Sequence, residues 1–222
     1  MLNSYRPISN LSFLSKLLER VITGRFFAHA ERHALFPVRQ SAYRQYHSTE
    51  TVVVNVLNDV IRAADEGKVT CLVLLDLSSA FDTVDRDILL QVLNRRFLVE
   101  GLALDWFCSY LDNRTQVFRA NQSESANLAI SCSVPQCSVL GPVKFICYSE
   151  DVVIIFDTHR ITHHIFADDK QLFASDAISD IGRIRSILQA CVADVQAWCA
   201  SRRLQLNAVK TEVIWLGTCG RL

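Results

Sequence analysis

Residues Val69 to Leu75 read VTCLVLL, seven residues without a charge, and the next residue is Asp76. A continuous apolar, β-branched run of this length fits a strand buried in the middle of a sheet. An aspartate at its end is costly unless something compensates the charge, and divalent cations are the commonest compensation. Ile161 to Ser175 (ITHHIFADDKQLFAS) has two apolar arms around a polar centre, a hairpin pattern with Asp168 and Asp169 at its tip. The fold must therefore accommodate three carboxylates at the ends of apolar strands.

Three carboxylates converging from two adjacent strands suit two Mg²⁺ ions about 4 Å apart, which stabilise both the attacking and the leaving oxygen of an in-line phosphoryl displacement. The plainer reading makes Asp168-Asp169 a polar turn and Asp76 a strand-ending cap. Spacing alone favours the plainer one.

The remaining periodicities give an α+β pattern. Apolar positions at 11, 14, 17, 18, 21, 22 and 26 predict a helix over residues 11–28. Ser48 or Thr49 caps a second helix running to about Ala64, with Gly67 ending it, and Asp85 caps a third. A further helix is expected over 103–112. Thr115–Ala120 and Asn127–Cys132 suggest two strands joined by NQSESA, and 138–156 a mostly buried helix. Ile181, Ile184, Leu188, Cys191, Val195 and Trp198 fall on one helical face within 178–201, and Glu212–Leu216 closes as a short strand. There is no glycine-rich phosphate loop.

Composition narrows the function classes. Half the residues are hydrophobic, which supports a packed core. Net charge is zero, but residues 1–47 hold seven Lys/Arg against two Glu, leaving the remainder acidic. A basic first fifth before an acidic body suits a phosphate-contacting element beside a carboxylate-rich metal site; chance clustering on solvated faces is the plain alternative. None of the eight cysteines forms a CxxC pair, so buried reduced thiols are expected rather than zinc. His29, Glu31 and His33 lack the HExxH order and a third ligand, and His163-His164, whose rings a strand sends to opposite faces, read as structural or surface residues rather than catalytic ones. No apolar stretch reaches membrane-span length, and MLNSYRPISN lacks the order of a secretory signal. The expectation is an intracellular protein that is not secreted, in nucleus or cytoplasm.

Six ordered strings reverse the balance at the carboxylates. LVLLDLSSAFDTVDRDILL (72–90), SVPQCSVLGPVKF (133–145), IFADD (165–169) and LQLNAVKTEVIWLG (204–217) resemble the palm motifs of reverse transcriptases. YRPISNLSFLSKLLERVI (5–22) and QSAYRQYHSTET (40–51) resemble their fingers motifs. Order and spacing resemble the non-LTR (LINE-type) retrotransposon branch. The resemblance implies right-hand polymerase fingers and palm, the palm a small antiparallel sheet packed on helices, with the thumb absent. A fingers-like region would cover 1–68 and a palm-like region, with some fingers elements, 69–222. The implied activity is RNA-directed DNA polymerisation, adding deoxynucleoside triphosphates to a DNA primer on an RNA template.

The resemblance also implies residue roles. Asp76, Asp168, Asp169 and the Leu77 carbonyl match ligands of two Mg²⁺ ions, with Mn²⁺ an alternative. Phe81 matches the bulky residue against the sugar 2′ position, where a ribose hydroxyl would clash; a core aromatic is its plain alternative. Gln136 matches a residue touching the incoming nucleotide. Arg6 and Arg44 match positions near the triphosphate, where guanidinium groups donate paired hydrogen bonds, or are surface arginines. Lys210 matches the lysine proposed to protonate pyrophosphate.

The chain departs from the family pattern at several positions. Cys137 stands at the glycine of PQG, Ser133 and Ala42 replace two more glycines, Tyr43 a phenylalanine, and Lys144 and Ser149 fall at usually apolar and asparagine-adjacent positions. A Lys144 charge on a buried helix is costly unless it snorkels. With the thumb absent, weak and salt-sensitive nucleic-acid binding is expected. These departures leave a second reading open: a fragment or decayed copy that keeps the palm fold and at most binds nucleic acid.

Overall fold

A computed structural model describes residues 8–78, 80–120, 123–135 and 137–217. In chain order the elements are α1 (Phe13–Arg32), α2 (Thr49–Asp65), β1 (Val69–Leu75), α3 (Arg86–Arg95), α4 (Gly101–Leu111), β2 (Thr115–Gln116), β3 (Arg119–Ala120), β4 (Ser123–Glu124), β5 (Leu128–Ala129), α5 (Leu140–Ser149), α6 (Val152–Thr158), β6 (Thr162–Phe166), β7 (Asp169–Asp176), α7 (Ile181–Ser201) and β8 (Glu212–Leu216). They form two compact units that alternate along the chain: Met1–Leu35 with Phe81–Tyr148, and Phe36–Ala80 with Ser149–Leu222.

The second unit is built on a four-stranded antiparallel sheet in the order β6-β7-β1-β8. The apolar run 69–75 is the interior strand β1, between β7 and β8. Val69, Cys71, Val73 and Leu75 are buried on alternate positions, as the two-residue repeat of a strand requires. Helices α2 and α7 pack on this sheet. α7 presents Ile184, Leu188, Cys191, Val195 and Cys199 as its buried stripe, while Trp198 is only half-buried and donates from Nε1 to Asp151 at 3.0 Å. α2 starts at a reciprocal cap: Ser48 accepts from the Thr51 N–H, and the Thr51 hydroxyl accepts from the Ser48 N–H.

His163 and His164 go to opposite faces of β6 and both are buried. His163 lies 4.9 Å from the Phe156 ring, and His164 stacks on Phe173. The expected helix over 138–156 is broken: α5 stops at Ser149 and α6 restarts at Val152. Asp151, at the break, is held by Trp198 and by Arg202 of the unit's own C-terminal half.

The first unit is helical, with two-residue strand pairs β2/β5 and β3/β4. The expected strands 115–120 and 127–132 are shorter than their sequence suggested, and β4 falls inside the polar stretch taken as a loop. All four strands are two residues long, and β2, β4 and β5 are too exposed to bury a face. α3 is capped by the Asp85 carboxylate, which accepts from the Asp87 and Ile88 N–H groups. α1 forms over most of the expected stretch, but Phe13, Leu14, Leu17, Leu18 and Val21 are exposed, and its buried residues are Glu19, Phe26 and Ala30. The seven described cysteines are all free thiols, but the expected burial holds only for Cys71, Cys147, Cys191 and Cys199, while Cys108 and Cys137 are exposed. Among the described residues, no helix is long and apolar enough to cross a membrane.

The buried Glu19 of α1 explains part of this unit. Its carboxylate accepts from the Tyr110 hydroxyl and, at 2.7 Å, from the Val139 N–H. Lys144 does not snorkel: it is 1% exposed, and its Nζ sits 4.0 Å from the Tyr110 ring centroid without a hydrogen-bond partner. Burial first, and the nearby Arg114 charge, pull its ammonium down to about 7, against the opposing attraction of Glu19.

The unfolded chain keeps a lysine protonated to about pH 10.4, so between that value and the folded one the unfolded state binds more protons. The stability lost by burying this charge is lost in full below about pH 7 and regained as pH rises. Denaturant unfolding should therefore show stability rising between pH 7 and 9. The slope from one such proton is at most about 1.4 kcal/mol per pH unit. Lys170, pulled to about 8 by burial, adds a slope of the same sign, so the informative quantity is the difference between wild type and Lys144→Leu. The substitution should flatten the profile and raise stability at pH 7.

Candidate active site

The register of the sheet decides where the carboxylates meet. Leu75 of β1 pairs with Lys170 of β7, which brings the next residue, Asp76, opposite Asp169. Leu75 and Lys170 share one face of the sheet, and Asp76 and Asp169 share the other. β6 and β7 close with Phe166 opposite Asp169, so Ala167 and Asp168 form a two-residue turn. Ala167 takes φ 57°, the left-handed geometry that tight hairpin turns demand and that a β-carbon disfavours.

Both ends of this turn are anchored. Gln40, buried, directs its Oε1 at the Ala167 N–H (3.3 Å) and the Ala42 N–H (2.9 Å). Residues 39–41 also run parallel to β6, exchanging Ser41 N–H to Ile165 carbonyl and Ile165 N–H to Arg39 carbonyl bonds, each 3.0 Å. On the other side Lys170 donates from Nζ to the Asp168 carbonyl at 3.1 Å. Its side chain is 1% exposed, beside Cys199 and within the fields of all three carboxylates.

Asp76 is held from the 204–211 segment. Its Oδ2 accepts from Asn207 Nδ2 at 2.9 Å and lies 3.7 Å from Lys210 Nζ, and its backbone carbonyl accepts from the Asn207 N–H. Leu77 and Leu206 are bridged through the flanking residues, by Ser78 N–H to the Gln205 carbonyl and Asn207 N–H to the Asp76 carbonyl. In a pair of that kind the Leu77 carbonyl points away from 205–207.

The electrostatics register the crowding. Partial burial first, and the negative charges of Asp168 and Asp76 next, push the Asp169 carboxyl up, with Lys170 and Lys210 opposing. Partial burial, and then Asp168, likewise raise the Tyr43 phenol, whose residue takes φ 60°. The donor set is carboxylate and carbonyl oxygen, the chemistry that Mg²⁺ and Mn²⁺ prefer. With Asp76 turned to Asn207 and Lys210, no three candidate side chains among the described residues stand as one metal-ligating group.

Five of the expected residues therefore gather at one end of the sheet: Asp76, Leu77, Asp168, Asp169 and Lys210. Arg44 lies in the same unit on the 36–44 loop. Its Nη1 donates to the carbonyls of Pro37 (3.2 Å) and Gln40 (3.1 Å), and its guanidinium lies 5.8 Å from the Phe36 ring centroid. Phe81 belongs to the other unit, half-buried with its ring 5.0 Å from that of Phe145. Arg6 and Gln136 lie outside the described residues. Gln40, Lys170 and Asn207 were not singled out from sequence, although each stands inside or beside a string that carried the resemblance.

The departures from glycine divide. Cys137 (φ 63°) and Ser133 (φ 94°) hold left-handed backbone, which explains why glycine is usual there. At 42–43 the left-handed residue is Tyr43, while Ala42 is fully buried.

Residues 2–218 match the family described as Reverse transcriptase (RNA-dependent DNA polymerase). The chain is 31% identical over 214 residues to the probable RNA-directed DNA polymerase from transposon BS of Drosophila melanogaster, and 28% identical over 213 residues to that from mobile element jockey of the same organism. Each alignment covers 94% of this chain and 23% of the relative, so the chain spans under a quarter of their length. Among solved structures, telomerase from Candida tropicalis in complex with a fragment of telomeric RNA aligns with a TM-score of 0.65 at 14% identity, over 94% of this chain and 34% of that one. That likeness shows a shared polymerase fingers-and-palm fold. The chain belongs to the reverse transcriptase family, in its non-LTR (LINE-type) retrotransposon branch.

Proposed function

We propose that this domain catalyses RNA-directed DNA synthesis, transferring a nucleotidyl group from a deoxynucleoside triphosphate to a primer 3′-hydroxyl on an RNA template. The observation that carries the reading is the β6-β7 turn, which sets Asp168 and Asp169 beside Asp76 at one end of the sheet. Asp76, Asp168, Asp169 and the Leu77 carbonyl are the ligands for two Mg²⁺ ions, or Mn²⁺. The ions supply charge neutralisation at the attacking and leaving oxygens.

The chain's own groups do the rest. Asp76 leaves Asn207 and Lys210 to take up its ligand role, which frees the Lys210 ammonium to move toward the phosphates. Lys210 is exposed and 3.7 Å from Asp76, so it is suited to protonate the departing pyrophosphate. Arg44, with Arg6, contacts the triphosphate after exchanging the Pro37 and Gln40 carbonyls for phosphate oxygens. Phe81 closes the space a ribose 2′-hydroxyl would need, and Gln136 touches the incoming nucleotide.

Primer extension on an RNA template tests the reading. Asp168→Asn should lower the rate by at least about a hundredfold. Signal that survives the change would mean that these carboxylates do not carry the reaction.

Because Asp169 titrates above the usual aspartate range, protons compete with cations there as pH falls. Mn²⁺ affinity, followed by calorimetry, should drop as pH is lowered through that raised value and recover on return. Cys137→Gly relieves a left-handed β-carbon worth about 1 kcal/mol, and should raise both the unfolding midpoint and the extension rate.

A further inference from the structure

A tight two-residue turn leaves the N–H of its first residue without a ladder partner. In the β6-β7 turn that residue is Ala167, 6% exposed, so water does not readily serve its N–H. The donor is satisfied by one side chain, Gln40, which is 3% exposed and comes from a segment far away in sequence. The same Oε1 takes the Ala42 N–H at 2.9 Å, so one oxygen ties two backbone segments together. Its own main chain is fixed as well: flanking residues pair with Ile165, and the Gln40 carbonyl accepts from Arg44. Ala167 meanwhile holds φ 57° with a β-carbon, a state that persists only where surrounding contacts impose it.

We infer that Gln40 is a positioning residue: its amide oxygen holds the Ala167 turn in the left-handed geometry that presents Asp168 and Asp169 to their cations. The inference rests on the metal reading proposed above and goes beyond it by naming what sets the ligands' orientation. Gln40 is buried, and its Oε1 is engaged by two backbone N–H groups. It acts through the peptide group next to Asp168, as the outer partners of metal ligands do, where loss of one typically costs 10–100-fold in affinity.

Three variants of the full chain test it. Gln40→Met keeps length and apolar volume but has no strong acceptor for the two N–H groups. Gln40→Glu keeps an oxygen there. Ala167→Gly, placed in the Gln40→Met background, lets the turn reach positive φ unaided. Each is measured for Mn²⁺ dissociation constant by electron paramagnetic resonance, for amide exchange at Ala167 and Ala42 by nuclear magnetic resonance, and for thermal midpoint.

Gln40→Met should speed exchange at both amides and weaken Mn²⁺ binding about tenfold at a temperature where the chain is still folded. Gln40→Glu should keep the Ala167 amide protected, and Ala167→Gly should restore part of the lost affinity. A Gln40→Met protein with a lower thermal midpoint but wild-type Mn²⁺ affinity would overturn the inference and leave Gln40 a fold residue only. So would failure of Ala167→Gly to recover any affinity. If the wild type binds no Mn²⁺, the metal reading itself falls. Ala167 exchange then still decides whether Gln40 clamps the turn: unchanged exchange in Gln40→Met rejects the clamp, and faster exchange retains it without a metal.

Discussion

Mutual repulsion among Asp76, Asp168 and Asp169 is the constraint around which the second unit is arranged. Like charges this close to a low-dielectric sheet oppose folding, and the Asp169 carboxyl is raised first by its partial burial and then by the charges of Asp168 and Asp76. The sheet holds the three together because each is fixed through its backbone: Asp76 by its bond to Asn207, Asp169 by its register with Phe166, Asp168 by the turn between. Cationic and amide groups are set against them from two sides. Lys210 and Asn207 meet Asp76, and Lys170 reaches the Asp168 carbonyl from the opposite face. Such groups offset the carboxylate charges, and Lys210, which is exposed, does so from the solvent side.

Lys170 has a double character. Its stem lies on the same face as Leu75 and Leu172, and its ammonium ends beneath the turn. Burial disfavours its charge, while Cys199 first and then the three aspartates favour it, and the balance pulls it down to about 8. A residue in the core is thus part of the electrostatic environment of a site on the other face of the same strand.

The sequence made the local elements readable where one signal acted alone. β1 falls on the expected run because an uncharged, β-branched stretch of its length has one stable use in the middle of a sheet, and the Ser48 and Asp85 caps fix their helices directly. The break at 150–151 was not readable, because it depends on Trp198 and Arg202, which reach Asp151 from some fifty positions away. Nor was the exposure of Phe13, Leu14 and Leu17, since periodicity reports a face and not what covers it. Among the candidate site residues, the aspartates stood out as charges at the ends of apolar strands, but only the strings that resemble reverse transcriptase motifs turned the reading from a polar turn and a strand cap toward a metal site. Gln40 was not, because an amide accepting two backbone bonds carries no pattern in sequence.

The alternation of the two units has a consequence for biosynthesis. The interior strand β1 leaves the ribosome before either of its partners, so Val73 must wait for Leu172 on one side and for Val213 on the other. Between those moments the chain completes most of the first unit, while an apolar strand with both hydrogen-bonding edges open goes unpaired. Such a strand is a template for wrong partners, and long-range pairing of this kind forms slowly. Assembly of the sheet, and with it the meeting of Asp76 with Asp168 and Asp169, is therefore a late event that depends on the nascent chain being kept from aggregating.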